Sequence, residues 1–474
     1  MTSKPIPLIS TKPRPNAQWL ALAVVLLATF MAQFDLYVVN VALPLLQSEL
    51  GAGEAELQLI VGGYAFVYAA GLITAGRLGD RLGHRKIFLL GMAGFGLTSL
   101  LCGLAQDPLS LTLARLAQGL AASAMVPQVL ALISLMFRAE AHGRALSAYG
   151  VTIGLGAVAG QLLGGLLIKA DLFSLGWRMI FLVNLPIALI GLYGGGRLLP
   201  LIAPQSPPRL DPLGSIGLPL GLGLALLPLT FGPQMGWPLW CGASLALSLP
   251  VLALTLLWER RLGQKGGDPL IDLALFRQSA FCLGLGLSIA ICASFFSLIF
   301  CLSLVLQRGL GLAADQAGLA FAPLGLAFAL ASLAARRLAA IHGKSLILLG
   351  TAITAFGIFL LLLALAFAKQ PPLWSLILPI VLIGFGNGTA VPLIIGSVMQ
   401  SLKKAAGMVS GLLTTVQQFA SAAGIAGIGA LFFRLLGQAP SPEAYAKALL
   451  LSGCGCFALA LVALWLALLL KRQA

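Results

Sequence analysis

Phe34-Asp35-Leu36-Tyr37-Val38-Val39-Asn40 places a carboxylate in the middle of the apolar run from Trp19 to Leu46. A bilayer is crossed by about 20 largely apolar residues, so the run is long enough to span one. A charged side chain at that depth costs at least about 2.5–3.5 kcal/mol on insertion scales and is rarely idle. Every other Asp or Glu can be placed in a loop or at the end of an apolar run. The stretch therefore implies an integral membrane protein, with Asp35 as the first candidate for carrying a proton or pairing a charge.

Composition points the same way. Of 474 residues, 59% are hydrophobic and 9% charged, against roughly 25% charged in soluble domains. The Lys and Arg excess gives a formal charge of +15, yet the basic residues lie in short groups between apolar runs. That distribution fits membrane topology, with the lipid bilayer as partner and no nucleic acid. Lys4, Lys12 and Arg14 ahead of the first run resemble a signal peptide. The run far exceeds the about 7–15 residues of a cleaved segment, and reads as an uncleaved first span. The seven cysteines stand in apolar surroundings without metal-ligand spacing, and read as small hydrophobes in helices. His84, His142 and His342 fall between apolar runs with no metal or carboxylate constellation. Neither a metal site nor an enzyme is expected, and no cofactor beyond protons as coupling ion.

Fourteen apolar runs follow one another: 18–47, 55–76, 87–106, 108–137, 145–169, 177–199, 212–232, 239–258, 279–306, 313–336, 345–368, 373–400, 406–435 and 445–470. With the N-terminus inside and strict alternation, only Lys169, Arg308, Lys369, Arg434 and Lys447 fall outside. Arg115 and Arg178 lie near or within spans, and the other 22 of the 29 basic residues fall inside. This asymmetry is what the positive-inside rule demands, and an odd span count would scramble it. Trp177, Trp237, Trp240 and Trp374 near outer ends, with Trp19 and Trp258 inside, suggest an interfacial belt.

The proline-rich stretch Pro200 to Pro212 is the best internal linker. It suggests a front bundle of six spans over 1–204, a linker with two extra spans over 205–262, and a back bundle of six over 263–474. Gly83-His84 after the second span and His342-Gly343-Lys344 after the tenth form a weak internal echo.

After the second span comes Gly76-Arg77-Leu78-Gly79-Asp80-Arg81-Leu82-Gly83-His84-Arg85-Lys86. Small residues there let helix ends approach, while Asp80 and the arginines supply charge for an inner gate. This segment resembles the signature loop of the major facilitator superfamily. Leu111, Arg115, Gln118 and Gly119 resemble its fourth-span motif, with an intramembrane arginine. Asp35, Asn40, Val41, Ala42, Leu43 and Pro44 resemble the first-span motif of the fourteen-span drug:proton antiporters. Trp177 to Pro186 and Pro269 to Arg277 are similar to that family's segments before spans six and nine. The resemblance implies an all-α membrane fold of two six-helix bundles plus two central helices, both termini cytoplasmic. It implies a multi-pass protein of a cytoplasmic (inner) membrane that exports small molecules against protons by alternating access. Gly76, Asp80, Arg81, Gly83 and Arg85 would form the inner gate.

One position departs from that pattern. Gly156, Gly160, Gly164 and Gly165 match the fifth-span antiporter motif, but Gln161 stands where it has proline. Glycines still permit close approach or a hinge; a plain packing face is the other reading.

Counted from the outer side at about 1.5 Å per residue, Arg115 lies roughly 12 Å deep and Asp35 roughly 20 Å. They can meet, either as proton carrier and tuning partner or as a static ion pair. Tyr64, Tyr68, Phe295, Phe296, Gln118, Gln128, Asn387 and Gln417 are candidate cavity residues, though each taken alone reads first as packing. From Gln316 to Pro442 there is no Asp or Glu. Aromatic faces without further carboxylates favour amphipathic molecules of charge zero or plus one. A dedicated exporter of an endogenous metabolite is the alternative, and whether a periplasmic adaptor joins is not written in the sequence.

Overall fold

The computed structural model describes residues 15–137, 139–201, 211–267, 269–271, 273–367, 371–400, 406–437 and 441–472. The front helices are α1 (Pro15–Glu49), α2 (Glu54–Gln58), α3 (Tyr64–Leu82), α4 (His84–Leu104), α5 (Pro108–Met136), α6 (Ala139–Ala170), α7 (Met179–Leu182) and α8 (Asn184–Leu198). Two follow alone, α9 (Pro212–Met235) and α10 (Leu239–Gln264). The back helices are α11 (Ser279–Leu304), α12 (Ala314–His342), α13 (Ser345–Phe367), α14 (Leu373–Gln400), α15 (Ala406–Leu436) and α16 (Pro442–Arg472). Among the described residues 14 helical spans are long and apolar enough to cross a membrane, each overlapping one apolar run of the sequence.

Local sequence sets the ends. Asp-Pro opens both α5 and α9: Asp107 accepts from the Ser110 amide at 2.9 Å, Asp211 from the Gly214 amide at 3.1 Å. Proline at the first helical position has no amide to leave unpaired. Gly83, at φ +96°, breaks α3 from α4, and Gly343, at φ +55°, breaks α12 from α13. Both occupy backbone space that side chains disfavour, so the weak echo between the two loops is a shared left-handed glycine. Two spans contain a π-helical turn, Leu59–Gly63 between α2 and α3 and Val305–Gly309 after α11.

In lipid, apolar burial gives helices little reason to associate, so contact depends on close approach and interhelical hydrogen bonds. Helices α1, α3, α4, α5, α6 and α8 pack on one another, as do α11 to α16. The two groups meet along α6 with α12 and along α3 with α15, with α1 touching α11 between them. Helix α9 lies against α3 and α15, and α10 packs on α9. Leu239, Leu249 and Leu254 of α10 are exposed on the protein surface, as a lipid-facing helix requires.

Two expectations meet the structure differently. Residues 202–210 of the linker lie outside the described residues. Trp177 is no belt residue: it is fully buried, edge-on to Phe181, with the Arg178 guanidinium 4.4 Å from its ring centre. The turn Gly176–Arg178 folds it under the start of α7, where position in sequence suggested the interface.

Candidate functional site

Asp35 points into the front bundle rather than into the space between bundles. Its Oδ2 accepts from Arg115 Nη1, and both side chains are 0% exposed. Its Oδ1 accepts from Gln118 Nε2 at 3.1 Å and from Asn184 Nδ2 at 3.2 Å. All three partners donate, so the geometry is that of a carboxylate. The hydrogen-bonding side chains come from α1, α5, α8 and, through Ser99, α4. Gln118 sits one turn beyond Arg115 on α5, close enough to share a face. It accepts from Arg115 Nη1 at 2.7 Å and donates to Ser99 Oγ at 2.8 Å.

The backbone contributes as well. A π turn leaves a carbonyl outside the regular ladder, and Ile60 in the turn Leu59–Gly63 accepts from Arg115 Nε at 3.0 Å. The Tyr64 ring lies 4.2 Å from the guanidinium carbon, and the Tyr64 hydroxyl donates to the Ala32 carbonyl at 3.3 Å. A guanidinium over an aromatic face gains further electrostatic stabilisation when desolvated. Charge, bulged backbone and ring together make a buried ion pair tolerable here, since removing either partner would leave an uncompensated charge.

On α1 the chain turns from this cluster to the back bundle within two helical turns. Pro44 has no amide to give the Asn40 carbonyl, and Ser303 Oγ of the back bundle donates to it at 2.6 Å. The Pro44 carbonyl accepts from Arg308 Nη2 at 2.8 Å. The Tyr37 and Phe296 rings lie 5.5 Å apart across the boundary. Further out, Lys169 of α6 pairs with Asp315 of α12 at 2.7 Å. Pro44, Ile168, Lys169, Gln307, Arg308 and Asp315 help line an outer cavity of about 390 Å³.

At the inner side Gly79 has no room for a side chain: a Cβ would lie 2.8 Å from His84 Nδ1. Gln128 fills that space, with Oε1 2.7 Å from His84 Nδ1 and Nε2 donating to the Ala75 carbonyl at 2.9 Å. Among the described residues Asp80 faces His84 at 3.4 Å and not an arginine. Arg85 donates to the Gly196 carbonyl in its own bundle, Arg77 to the Pro269 carbonyl at 2.7 Å, and Arg81 is exposed. Gly76 has open space around it.

The fifth-span glycines are contact points. A Cβ on Gly156 would lie 2.7 Å from Gln33 Cβ, on Gly160 2.6 Å from the Phe34 carbonyl oxygen, and on Gly164 2.7 Å from Val38 Cγ2. Those three seat α6 on α1. Gly165 seats it on α12, 2.8 Å from Asp315 Cα by the same measure. Gln161 is buried between these contacts in an unbroken helix.

The candidate cavity residues divide. Tyr64 and Gln118 belong to the Asp35–Arg115 cluster, Gln128 to the inner loop, and Tyr68 packs on Tyr64 with ring centres 6.0 Å apart. Phe296 stands at the bundle boundary, and Phe295, edge-on to it, is buried. Asn387 donates to Ile383 in its own helix at 3.0 Å, and Gln417 is half-buried. Asn184, Ser99 and the Ile60 carbonyl were not among the sequence candidates. Asn184 offered a signal, as an amide inside an otherwise apolar helix start; Ser99 and the π turn offered none.

Residues 25–425 match the family model described as Major Facilitator Superfamily. Over 430 residues the chain is 36% identical to the probable actinorhodin transporter of Streptomyces coelicolor, covering 90% of this chain and 74% of that protein. It is 33% identical over 413 residues to the cephamycin export protein CmcT of Amycolatopsis lactamdurans, covering 86% and 83%. It is 29% identical over 442 residues to the multidrug resistance protein Stp of Mycobacterium tuberculosis, covering 90% and 78%. Among solved structures, a bacterial homologue of the human drug peptide transporters matches with a TM-score of 0.64 over 96% of this chain and 100% of that one. At 14% identity that likeness shows the fold alone. The fourteen helical spans and the family match together place the chain in the major facilitator superfamily of membrane transporters.

Proposed function

We propose that the protein exports amphipathic, lipid-soluble molecules of charge zero or plus one across a cytoplasmic (inner) membrane, driven by inward proton movement. The observation that carries this reading is the sealed Asp35–Arg115 pair on a helix that also holds the bundle boundary. Protonation of Asp35 removes its charge and loosens α1 from α5 and α8. Arg115 keeps its bonds to Ile60 and Gln118. Because Asn40 and Pro44 tie α1 to Ser303 and Arg308, a shift of α1 is felt at the outer seam. Coupling between the proton and alternating access then needs one mobile helix. For a neutral cargo, one proton charge crossing 100 mV is worth about 2.3 kcal/mol, enough to drive it outward by more than tenfold; for a monovalent cation exchanged one for one the two charges cancel and the pH gradient is the drive.

The test is proton-gradient-driven accumulation of a fluorescent monovalent lipophilic cation in inverted membrane vesicles. Asp35→Asn at equal expression should abolish it. Undiminished transport in that variant would remove the proton carrier from this reading.

A second reading is favoured by the names of the relatives, two of which are named for the transport or export of a single natural product. A dedicated exporter would show a narrow profile in a screen of chemically diverse cargoes, and a multidrug exporter a broad one.

A further inference from the structure

We propose that Gln161 is a hydrogen-bonding subsite for the polar edge of the exported molecule, with Asn40 at the same level of α1. The inference rests on the efflux reading above and adds a specificity-determining residue to it. Gln161 is 3% exposed, and among the described residues neither its Oε1 nor its Nε2 has a hydrogen-bond partner. Asn40 is 3% exposed and its Oδ1 is likewise free. Buried amides are normally paired, so a side chain with both ends free has donor and acceptor to offer a ligand.

The surroundings fit a ligand. Gln161 lies where α1, α6 and α12 converge: its neighbours Gly160 and Gly164 seat on α1, and its own carbonyl abuts Gly318 of α12. A Cβ on Gly160 would lie 2.9 Å from Tyr37 Cβ, and the Tyr37 ring faces Phe296 of the other bundle. Counted along α1 and α6 from their outer ends, Asn40 and Gln161 lie at the same depth, about 13 Å. The outer cavity begins about one to two turns further out on these helices, at Pro44 and Ile168, and is large enough for a small ligand. The free amide of Gln161 and the two facing rings below such a cavity suit a flat aromatic molecule with a polar edge. Gln58 is also buried with both amide atoms free, but it lies against Gly429 of α15, whereas the cavity lies along α1, α6 and α12.

Two monovalent lipophilic cations separate this role from packing. Ethidium carries aromatic amines, and tetraphenylphosphonium carries no hydrogen-bonding group. In inverted vesicles Gln161→Met, of similar length and without donor or acceptor, should raise KM for ethidium relative to KM for tetraphenylphosphonium by roughly 3- to 10-fold, the worth of about one hydrogen bond. An equal change for both probes, or none, would overturn the proposal and leave the efflux reading standing. If wild type moves neither probe, the broad-efflux reading gives way to the dedicated exporter and takes this inference with it. Should Gln161→Met not accumulate in the membrane, Gln161→Ala, which cannot overpack the seam, reads the same ratio.

Discussion

Arg115 makes a buried carboxylate at Asp35 sustainable, and the consequence is measurable without transport. Replacing it by Ala leaves the carboxylate with two amide donors and no compensating charge. Loss of one partner of a buried pair costs about 3–5 kcal/mol, so Arg115→Ala should lower the melting temperature of the detergent-solubilised protein strongly. Asp35→Asn in the same chain should restore part of it, giving a favourable interaction in the double-mutant cycle. Additive losses would show that the pair is not the stabilising unit. At this scale the sequence was informative where charge was involved. Asp35 and Arg115 stood out because ionised groups are rare in apolar runs. Ser99 did not, because small neutral polar residues are common there and gain meaning only from what they touch.

Helices, in turn, are placed by small residues and by breaks in backbone regularity. Gly160 lies against the Phe34 carbonyl and Tyr37 Cβ, backbone and stem atoms that cannot swing aside. Gly160→Ala should therefore force α6 from α1 and destabilise by about 1–3 kcal/mol, read as a fall in melting temperature. Gly76 has nothing within 4 Å, and Gly76→Ala should stabilise α3 by up to about 1 kcal/mol. The two glycines look alike in sequence and should shift the melting temperature in opposite directions.

Asp107 gives a pH-dependent test at the start of α5. The Ser110 amide and hydroxyl hold its carboxyl below its ordinary value of 3.8. A depressed folded-state value means the cap stabilises above the unfolded pKa and is lost as pH falls through the folded one. Asp107→Ala should thus melt earlier than wild type at pH 7, and the gap should narrow once the pH drops below 3.8. The cap is built by the local Asp-Pro-Leu-Ser order. The π turn Leu59–Gly63 has no such local signal, since its residues are ordinary helix formers and its purpose, the Ile60 carbonyl for Arg115, lies on another helix.

Across the whole molecule the two bundles are held at their outer ends by contacts between residues far apart in the chain. Among the described residues Lys169 and Asp315 are the charged pair in these contacts, with Lys169 largely exposed. An exposed pair contributes at most about 1 kcal/mol, so it biases the outer ends rather than locking them. Asp315→Lys should shift the population toward open outer ends by a few-fold, seen as longer spin-label distances between α6 and α12. Exchanging both residues, Lys169→Asp with Asp315→Lys, should restore the short distance.

Sequence by itself determined the fourteen spans, because bilayer thickness acts on each segment without reference to the others, and loop charge set the expectation of their sidedness. It singled out Asp35 and Arg115 for the same reason: an ion in hydrocarbon is costly wherever the helix packs. Partnership is what only the tertiary structure decided. Asn184 reaching Asp35, Ser303 taking the carbonyl freed by Pro44, Trp177 buried rather than interfacial, and Gln161 left free at the seam all depend on which helix faces which. Helix packing in lipid is governed by close approach and by polar groups finding one another, and neither is a property of a single segment.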